Sequence, residues 1–449
     1  MSHSKLLHWI GNLILTPIIQ IMNCINTVLV KYGIEYGEDR GRGVIQPGGV
    51  AAFQKDRASS NESSMEALLG LFKGSINLHC LSHTITHVGD HLIAIKLKAF
   101  KEDLCALNNC HGGNNKAASH WETIFDKCWK PPGNTRWWAD LELYIFLQKN
   151  FDLLVTFCMT AEKDGDMNGA RVTRLADTVD DIYKRAILKF ELGIVTIVGS
   201  KMVKATYNLE GNSCCALITY DTVQDCSGWL QEHYEHMTFP GVDSEIQRCV
   251  DTLLGDEEQY LDMDRTALLS YVFKKGQDII LGGVKYFQRT IIEILAADLE
   301  VYKTCRYSNP ISMRNNFEST CVMIDFREAV KSLNRFSTAA IEEMVGEWPK
   351  YKRFVRDLAI DHDEGNPKVQ MLKCTNFWKC NSSALPALSH FARYCFTLTP
   401  SSAAAERVFS YLKNSFSVSQ MRTTLEDYTQ CSIMLQYNAE ESEMDDDDT

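Results

Sequence analysis

TPSSAAAERVFSYL, residues 399–412, sets small and hydroxyl residues behind a proline, then Glu406 and Arg407, then the apolar set Val408, Phe409 and Leu412. A proline followed by serines is a helix-start signal, and the apolar spacing that follows is helical. A carboxylate in a first helical turn is ordinarily favoured by the helix dipole alone. Whether Glu406 has a further task depends on which other carboxylates, histidines and arginines the chain can bring to it.

The chain has 449 residues, more than one compact core usually serves, so two or three domains are expected. Its 45% hydrophobic and 23% charged content is that of a globular protein with a large core. Sixteen cysteines are present without a C-x-x-C pair, which points to reduced thiols in an intracellular protein. The formal charge of −12 does not advertise non-specific nucleic-acid binding, although part of it lies in the tail EESEMDDDDT, read as a solvated end at 439–449. The apolar N-terminal stretch LLHWIGNLILTPIIQIMNCINTVLV is interrupted by Pro17 and by polar residues at roughly helical spacing. It reads as an amphipathic helix packed on a domain, not as a membrane span.

Downstream, KYGIEYGEDRGRGVIQPGGV is a glycine-rich loop that closes an N-terminal unit of residues 1–47. VAAFQKD then reads as a short strand ending at Asp56, RASSNESSMEALLGLFKG as a helix, and SINLHCLSH as a second strand. TITHVGDHLIAIKLKAFKEDL continues as a helix, so the front of the chain carries an α/β signature. From about residue 139 to 360 long amphipathic helical segments dominate, and DHDEGNPKV at 361–369 marks a turn-rich boundary before a final helical unit.

Four stretches, FQKDRASSN, CLSHTITHVGDHL, GNTRWWADLELY and FWKCNSSALPALSHFARYCFTLTPSSAAAERVFS, resemble in order the successive motifs of hAT-superfamily transposases. KATYNLEGNSCCALITYDTV, residues 204–223, is similar to part of that family's helical insertion. The resemblance implies an α/β fold with a large all-α insertion: an RNase H-like catalytic core, incomplete at its N-terminus, interrupted by a helical domain. The expected units are the first part of the core at 48–138, the insertion at 139–365, and the last part of the core with a C-terminal dimerisation region at 370–438.

The family cuts and joins DNA with three carboxylates that hold two divalent ions, Mg²⁺ or Mn²⁺. Two such ions roughly 4 Å apart stabilise the attacking and leaving oxygens of an in-line displacement, and hard cations take oxygen ligands. By resemblance Asp56 stands at the second aspartate and Glu406 at the glutamate, the two metal-ligand positions. Cys80 and His83 match the family's C-x-x-H motif, whose histidine lies near the scissile phosphate. Arg136, Trp137 and Trp138 match its Thr-Arg-Trp motif, where a tryptophan pair can stack on unpaired bases. Arg407 is placed to balance buried charge or to meet the nucleic-acid backbone. Val408, Phe409, Leu412, Phe416, Leu425, Ile433, Met434 and Leu435 resemble the dimerisation stripe, which in purely physical terms fills a core or forms a self-complementary face.

One departure decides the functional expectation. Asp39 is the sole aspartate ahead of Asp56, and it lies in the loop GEDRGRG with no strand before it. No Cys/His finger precedes it either, so the chain reads as lacking its first ligand and its DNA-reading module. The expected protein is a transposase-derived, nuclear, catalytically silent chain that self-associates and has no membrane role. Two alternatives stand beside it: an active metal-dependent strand transferase that also binds DNA, and a host interaction protein without nucleic-acid activity. Bland readings compete as well. Asp56 also suits an N-cap, and Trp137 and Trp138 suit plain packing. His79, Cys80, His83, His87 and His91 suggest a zinc face, DTVDD at 177–181 a solvated acidic face, and KYKRFVR at 350–356 a basic surface patch.

Overall fold

The computed structural model describes residues 51–55, 69, 75–113, 115–128, 137–164, 170–210, 215–238, 242–255, 263–315, 323–358 and 367–403. Two short strands, β1 (Ala52–Lys55) and β2 (Ile76–His79), pair in parallel, with Ala52 opposite Ile76 and Lys55 opposite His79. The ladder runs one bond further at each end, Ile76 N donating to Ala51 O at 3.1 Å and Cys80 N to Lys55 O at 2.8 Å. A parallel pair requires a crossover of a dozen residues or more, and 56–75 is that connection. The helix expected within it lies almost wholly outside the described residues, as do the N-terminal helix and the glycine-rich loop.

All other described elements are helical. In order they are α1 (Leu81–Lys96), α2 (Lys98–Gly113), α3 (Asn115–Phe125), α4 (Trp137–Lys149), α5 (Phe151–Lys163), α6 (Ala170–Asp180), α7 (Ile182–Leu209), α8 (Ala216–His236), α9 (Val242–Leu253) and α10 (Arg265–Tyr286). After α10 come a π-helical segment (Phe287–Ile294), α11 (Ala296–Cys305), a 3₁₀ turn (Arg306–Ser308), α12 (Pro310–Asn315), α13 (Met323–Ser332), α14 (Thr338–Arg356), α15 (Pro367–Asn381) and α16 (Pro386–Thr397). The large helical part expected from the sequence is present. No described helix is long and apolar enough to cross a membrane.

Several long periodic segments are divided where local chemistry ends a helix. Asn150 separates α4 from α5, its side-chain amide donating to Phe146 O at 2.8 Å in competition with the helical ladder. In DTVDD the three aspartates face solvent to differing degrees across a helix junction: Asp177 and Asp180 are exposed at the end of α6, and half-buried Asp181 caps α7 by accepting from Tyr183 N at 2.9 Å and Lys184 N at 3.0 Å. Those two amides hold its carboxyl below the usual carboxylate range, the Lys184 N–H contributing most.

The 28-residue α7 is the axis of the molecule and buries Leu188, Leu192, Val195, Val198 and Met202 along its length. Helix α1 lies against α7 and α10 through Leu81, Ile85, Val88 and Leu92, an i, i+4, i+7, i+11 stripe that reaches zero exposure. A Cβ built on Gly283 of α10 would meet Leu92 Cδ2 at 2.7 Å and Val88 Cγ1 at 3.2 Å, so glycine sets how closely these two helices approach.

The C-terminal helices are tied to the helical body by aromatic packing. Phe326 meets Phe391 of α16 edge to face at 5.7 Å and Tyr351 stacks on Trp378 at 5.2 Å between ring centres, while Trp378 Nε1 donates to Ser308 O at 2.7 Å. The Leu-Pro pair of the C-terminal motif starts α16. Pro386 takes the first helical position, and Glu347 of α14 accepts from the next two amides, Ala387 N at 3.0 Å and Leu388 N at 2.9 Å.

Candidate functional site at the strand ends

The carboxyl ends of β1 and β2 are where three distant parts of the chain meet. His79 ends β2, Cys80 is the junction residue, and α1 begins at Leu81. The sequence had suggested a strand running through His83. The helix starts earlier because the Cys80 amide completes the ladder to β1 while the Leu81 amide turns away to Pro400 O at 2.8 Å. His83 therefore sits in the first turn of α1.

Segment 399–403, the front of the opening stretch, docks on this junction. Ser402 donates its backbone N–H and its hydroxyl to the Cys80 sulphur, each at 3.2 Å. Ser82 and Ser401 share a hydroxyl bond of 2.7 Å, and the Cys80 sulphur lies 3.3 Å from the Ser82 hydroxyl. Within the segment, Ser401 Oγ accepts from Ala403 N at 3.1 Å and Thr399 Oγ1 donates to Ser401 O at 3.0 Å, which fixes a tight local turn. Gln54 of β1 and Tyr302 of α11 both donate to Thr399 O, at 2.8 and 2.9 Å. Burial raises the Tyr302 phenol well above its ordinary value, with Asp298 adding to the effect, so the hydroxyl stays a donor.

The outer edge of β2 is covered from the helical part. Buried Asp298 of α11 accepts from His79 N at 2.6 Å and lies 3.1 Å from His79 Nδ1. A carboxylate here takes the amide that a further strand would otherwise take, which satisfies an open edge. Along α1, His83 Nε2 is 2.9 Å from His87 Nε2, and His87 Nδ1 is 2.8 Å from Asp90 Oδ2.

The structure thus brings Cys80, Leu81 and Ser82 together with residues 399–403, and His83 follows them in the first turn of α1. Lys55 and Ala403 are the described residues nearest in sequence to Asp56 and Glu406. Asp56, Arg136, Glu406, Arg407, Val408, Phe409, Leu412, Phe416, Leu425, Ile433, Met434 and Leu435 lie outside the described residues. Trp137 and Trp138 begin α4. The five-residue zinc face is dispersed: His79 is engaged by Asp298, Cys80 by Ser402, and His91 stacks on Tyr286 at 4.3 Å between ring centres. Among the described residues no group of three or more His, Cys, Asp or Glu side chains is placed to hold a metal ion. Cys80, Cys158, Cys226, Cys249, Cys305 and Cys395 are buried cysteines outside any disulfide.

Residues that the sequence reading passed over are Gln54, Ser82, Asp298 and Tyr302. Ser82 and the Ser401–Ser402 pair were visible as hydroxyls inside motifs. Asp298 and Tyr302 were not, because on an amphipathic helix a lone carboxylate or phenol carries no local sign of its partner.

Residues 354–439 match the hAT family C-terminal dimerisation region. The chain carries an hAT dimerisation region. That match supports an hAT-family, transposase-derived protein with a capacity for self-association. No curated protein matches the chain. The described front of the hAT region, 354–358 and 367–403, contains α15 and α16, the aromatic contacts to Trp378 and the segment docked on Cys80.

Proposed function

We propose that this protein is a transposase-derived chain whose working activity is self-association through its hAT region, and that the carboxylates of these 449 residues do not by themselves sustain strand transfer. The match at 354–439 carries the first part. The apolar residues Leu425, Ile433 and Leu435 fall inside it and supply a stripe suited to a two-fold, self-complementary contact. The second part rests on ligand chemistry. A two-ion site for Mg²⁺ or Mn²⁺ wants several carboxylate oxygens, whereas the carboxylate described at the strand ends, Asp298, is already engaged by the backbone N–H and the ring of His79. Asp56 and Glu406 are the residues that would hold such ions, and Asp39 is the one other aspartate before Asp56.

The test is sedimentation of the full chain at micromolar concentration, beside a Leu425→Asp, Ile433→Asp double variant. The wild type is expected as a dimer or larger and the variant as a smaller species of unchanged helix content. A well-folded wild-type monomer overturns the reading.

One observation favours a catalytic reading as the second choice. Cys80 accepts from Ser402 while its own amide bonds Lys55 O, so the chain leading into Asp56 and the chain leading towards Glu406 converge on one residue. On that reading the strands belong to an RNase H-like core, the protein is nuclear and it binds DNA, with Arg136, Trp137, Trp138 and Arg407 as the contacts. Calorimetric titration with Mn²⁺ would then differ between wild type and Glu406→Ala, and matching traces would end it.

A further inference from the structure

Where α1 passes the end of α10, the surface sets a stacked pair of rings beside two cations. His91 of α1 lies on Tyr286, the last residue of α10, with ring centres 4.3 Å apart and planes 22° from parallel. His91 remains exposed although Tyr286 covers one face of its ring. The pair is held from below. Leu92, next to His91, is fully buried against Gly283, one turn before Tyr286.

The cations are Lys285 and Arg289. Both are exposed, and among the described residues neither forms an ion pair. At roughly 90–100° per residue they fall one turn apart, on the same flank of Tyr286 around the axis. The backbone that carries Arg289 is unusual. Phe287–Ile294 is π-helical, with Leu295 N donating to Thr290 O at 3.2 Å, and such segments recur at functional sites. Phe287, Thr290 and Ile291 are buried in it, whereas Gln288 and Arg289 are exposed. The carboxylates closest in sequence are Asp90, engaged by His87 Nδ1 at 2.8 Å, and exposed Glu293, four residues after Arg289.

A ring backed by a fixed partner, with cations on the adjoining turn, suits an unpaired nucleotide: the base stacks on the ring and the phosphates meet the cations. A duplex offers its phosphates to the cations but keeps its bases stacked on one another. An acidic peptide would likewise engage the cations alone. We propose that His91, Lys285 and Arg289, with Tyr286 behind the imidazole, bind single-stranded nucleic acid. This binding requires neither self-association nor strand transfer.

The experiment is fluorescence anisotropy of the full chain with a labelled oligothymidylate of about 16 nucleotides, beside an abasic strand of equal length that keeps the phosphates and lacks the bases. The wild type should bind the oligothymidylate more tightly than the abasic strand and lose affinity as salt rises. His91→Ala should weaken oligothymidylate binding roughly 5- to 150-fold, the range for one base–aromatic stack, and leave the abasic strand unaffected. His91→Trp keeps a stacking ring and should restore the binding. The Lys285→Ala, Arg289→Ala double variant should weaken both strands and reduce the salt slope by about 1.4, or ~0.7 for each of two phosphates. Helix content and sedimentation of every variant should match the wild type. No binding by the wild type, equal affinity for the two strands, or an affinity unmoved by His91→Ala or by the double variant overturns the proposal. Sedimentation reads self-association independently, so a failure of that reading is separable from a failure of this one.

Discussion

Ser402 places both its amide and its hydroxyl on the sulphur of Cys80, across 322 positions of the chain. With the Ser82–Ser401 hydroxyl bond and the Leu81 N to Pro400 O bond, this clasp joins the front α/β part to the front of the hAT region. Cys80 is in this structure an acceptor that holds Ser402 in place.

Cys80→Ala removes that acceptor from a site where Cys80 is 1% exposed. Sulphur accepts weakly, so the expected cost is near the low end of the ~1–3 kcal/mol for stranding buried donors. Hydrogen exchange at the Ser402 amide should accelerate in Cys80→Ala and stay slow in Cys80→Ser. Unchanged exchange in the alanine variant would show that the clasp does not hold the segment.

Much of this arrangement was legible in the sequence, and the rest for physical reasons was not. The strand before Asp56, the strand before Cys80 and the helical bulk all showed in their periodicity, because side-chain alternation and helical spacing are local properties. The clasp was half legible: Cys80 and the serines stood out inside motifs, but their pairing is a long-range fact. Asp298 covering the edge of β2 left no local trace, since a partner 219 residues away decides its role. The histidines of the weighed zinc face had the right i, i+4 spacing, yet Tyr286, Asp298 and Ser402 each engage one member of that set. Trp137 and Trp138 are placed at a helix start.

Two glycines should respond in opposite directions to alanine. Gly346 is exposed in the middle of α14 with nothing within 4 Å of a built Cβ, so Gly346→Ala should stabilise by ~0.5–1 kcal/mol through helix propensity and a less flexible unfolded chain. Gly283→Ala should cost ~1–3 kcal/mol, because Leu92 and Val88 are themselves fully buried and have little room to withdraw. In a Leu92→Ala background the contact is relieved and the Gly283→Ala penalty should largely vanish. Chemical denaturation of the four chains reads this coupling directly.

Trp378 ties the hAT region to the helical body by two separable contacts, the stack on Tyr351 and the indole N–H to Ser308 O. Trp378→Phe keeps an aromatic ring and loses the donor, for an expected ~1 kcal/mol. Trp378→Ala also empties a site only 5% exposed, for an expected ~3–5 kcal/mol. Equal losses in the two variants would assign the anchoring to the hydrogen bond alone. Near-wild-type stability in Trp378→Phe would assign it to packing.

Two histidines should make the fold sensitive to mild acid. His390 is held below its ordinary value by burial, with Arg393 adding to the effect, and its Nε2 is buried without a hydrogen-bond partner beside Phe336. His233, edge-on to Trp229, is lowered chiefly by burial, with Glu232 opposing and Lys201 assisting. A group lowered in the fold binds fewer protons there than in the unfolded chain, so stability rises with pH across the interval between its folded value and about 6.5. The contribution is complete above about 6.5 and is lost as pH falls from there through the folded value. Melting curves between about pH 5 and about pH 7.5 should therefore show stability falling on the acid side. His390→Phe should flatten that slope by removing one titrating group and should raise stability at the acid end, where the charged ring is disfavoured. A slope identical to that of the wild type would mean that the His390 ring reaches water in the folded chain.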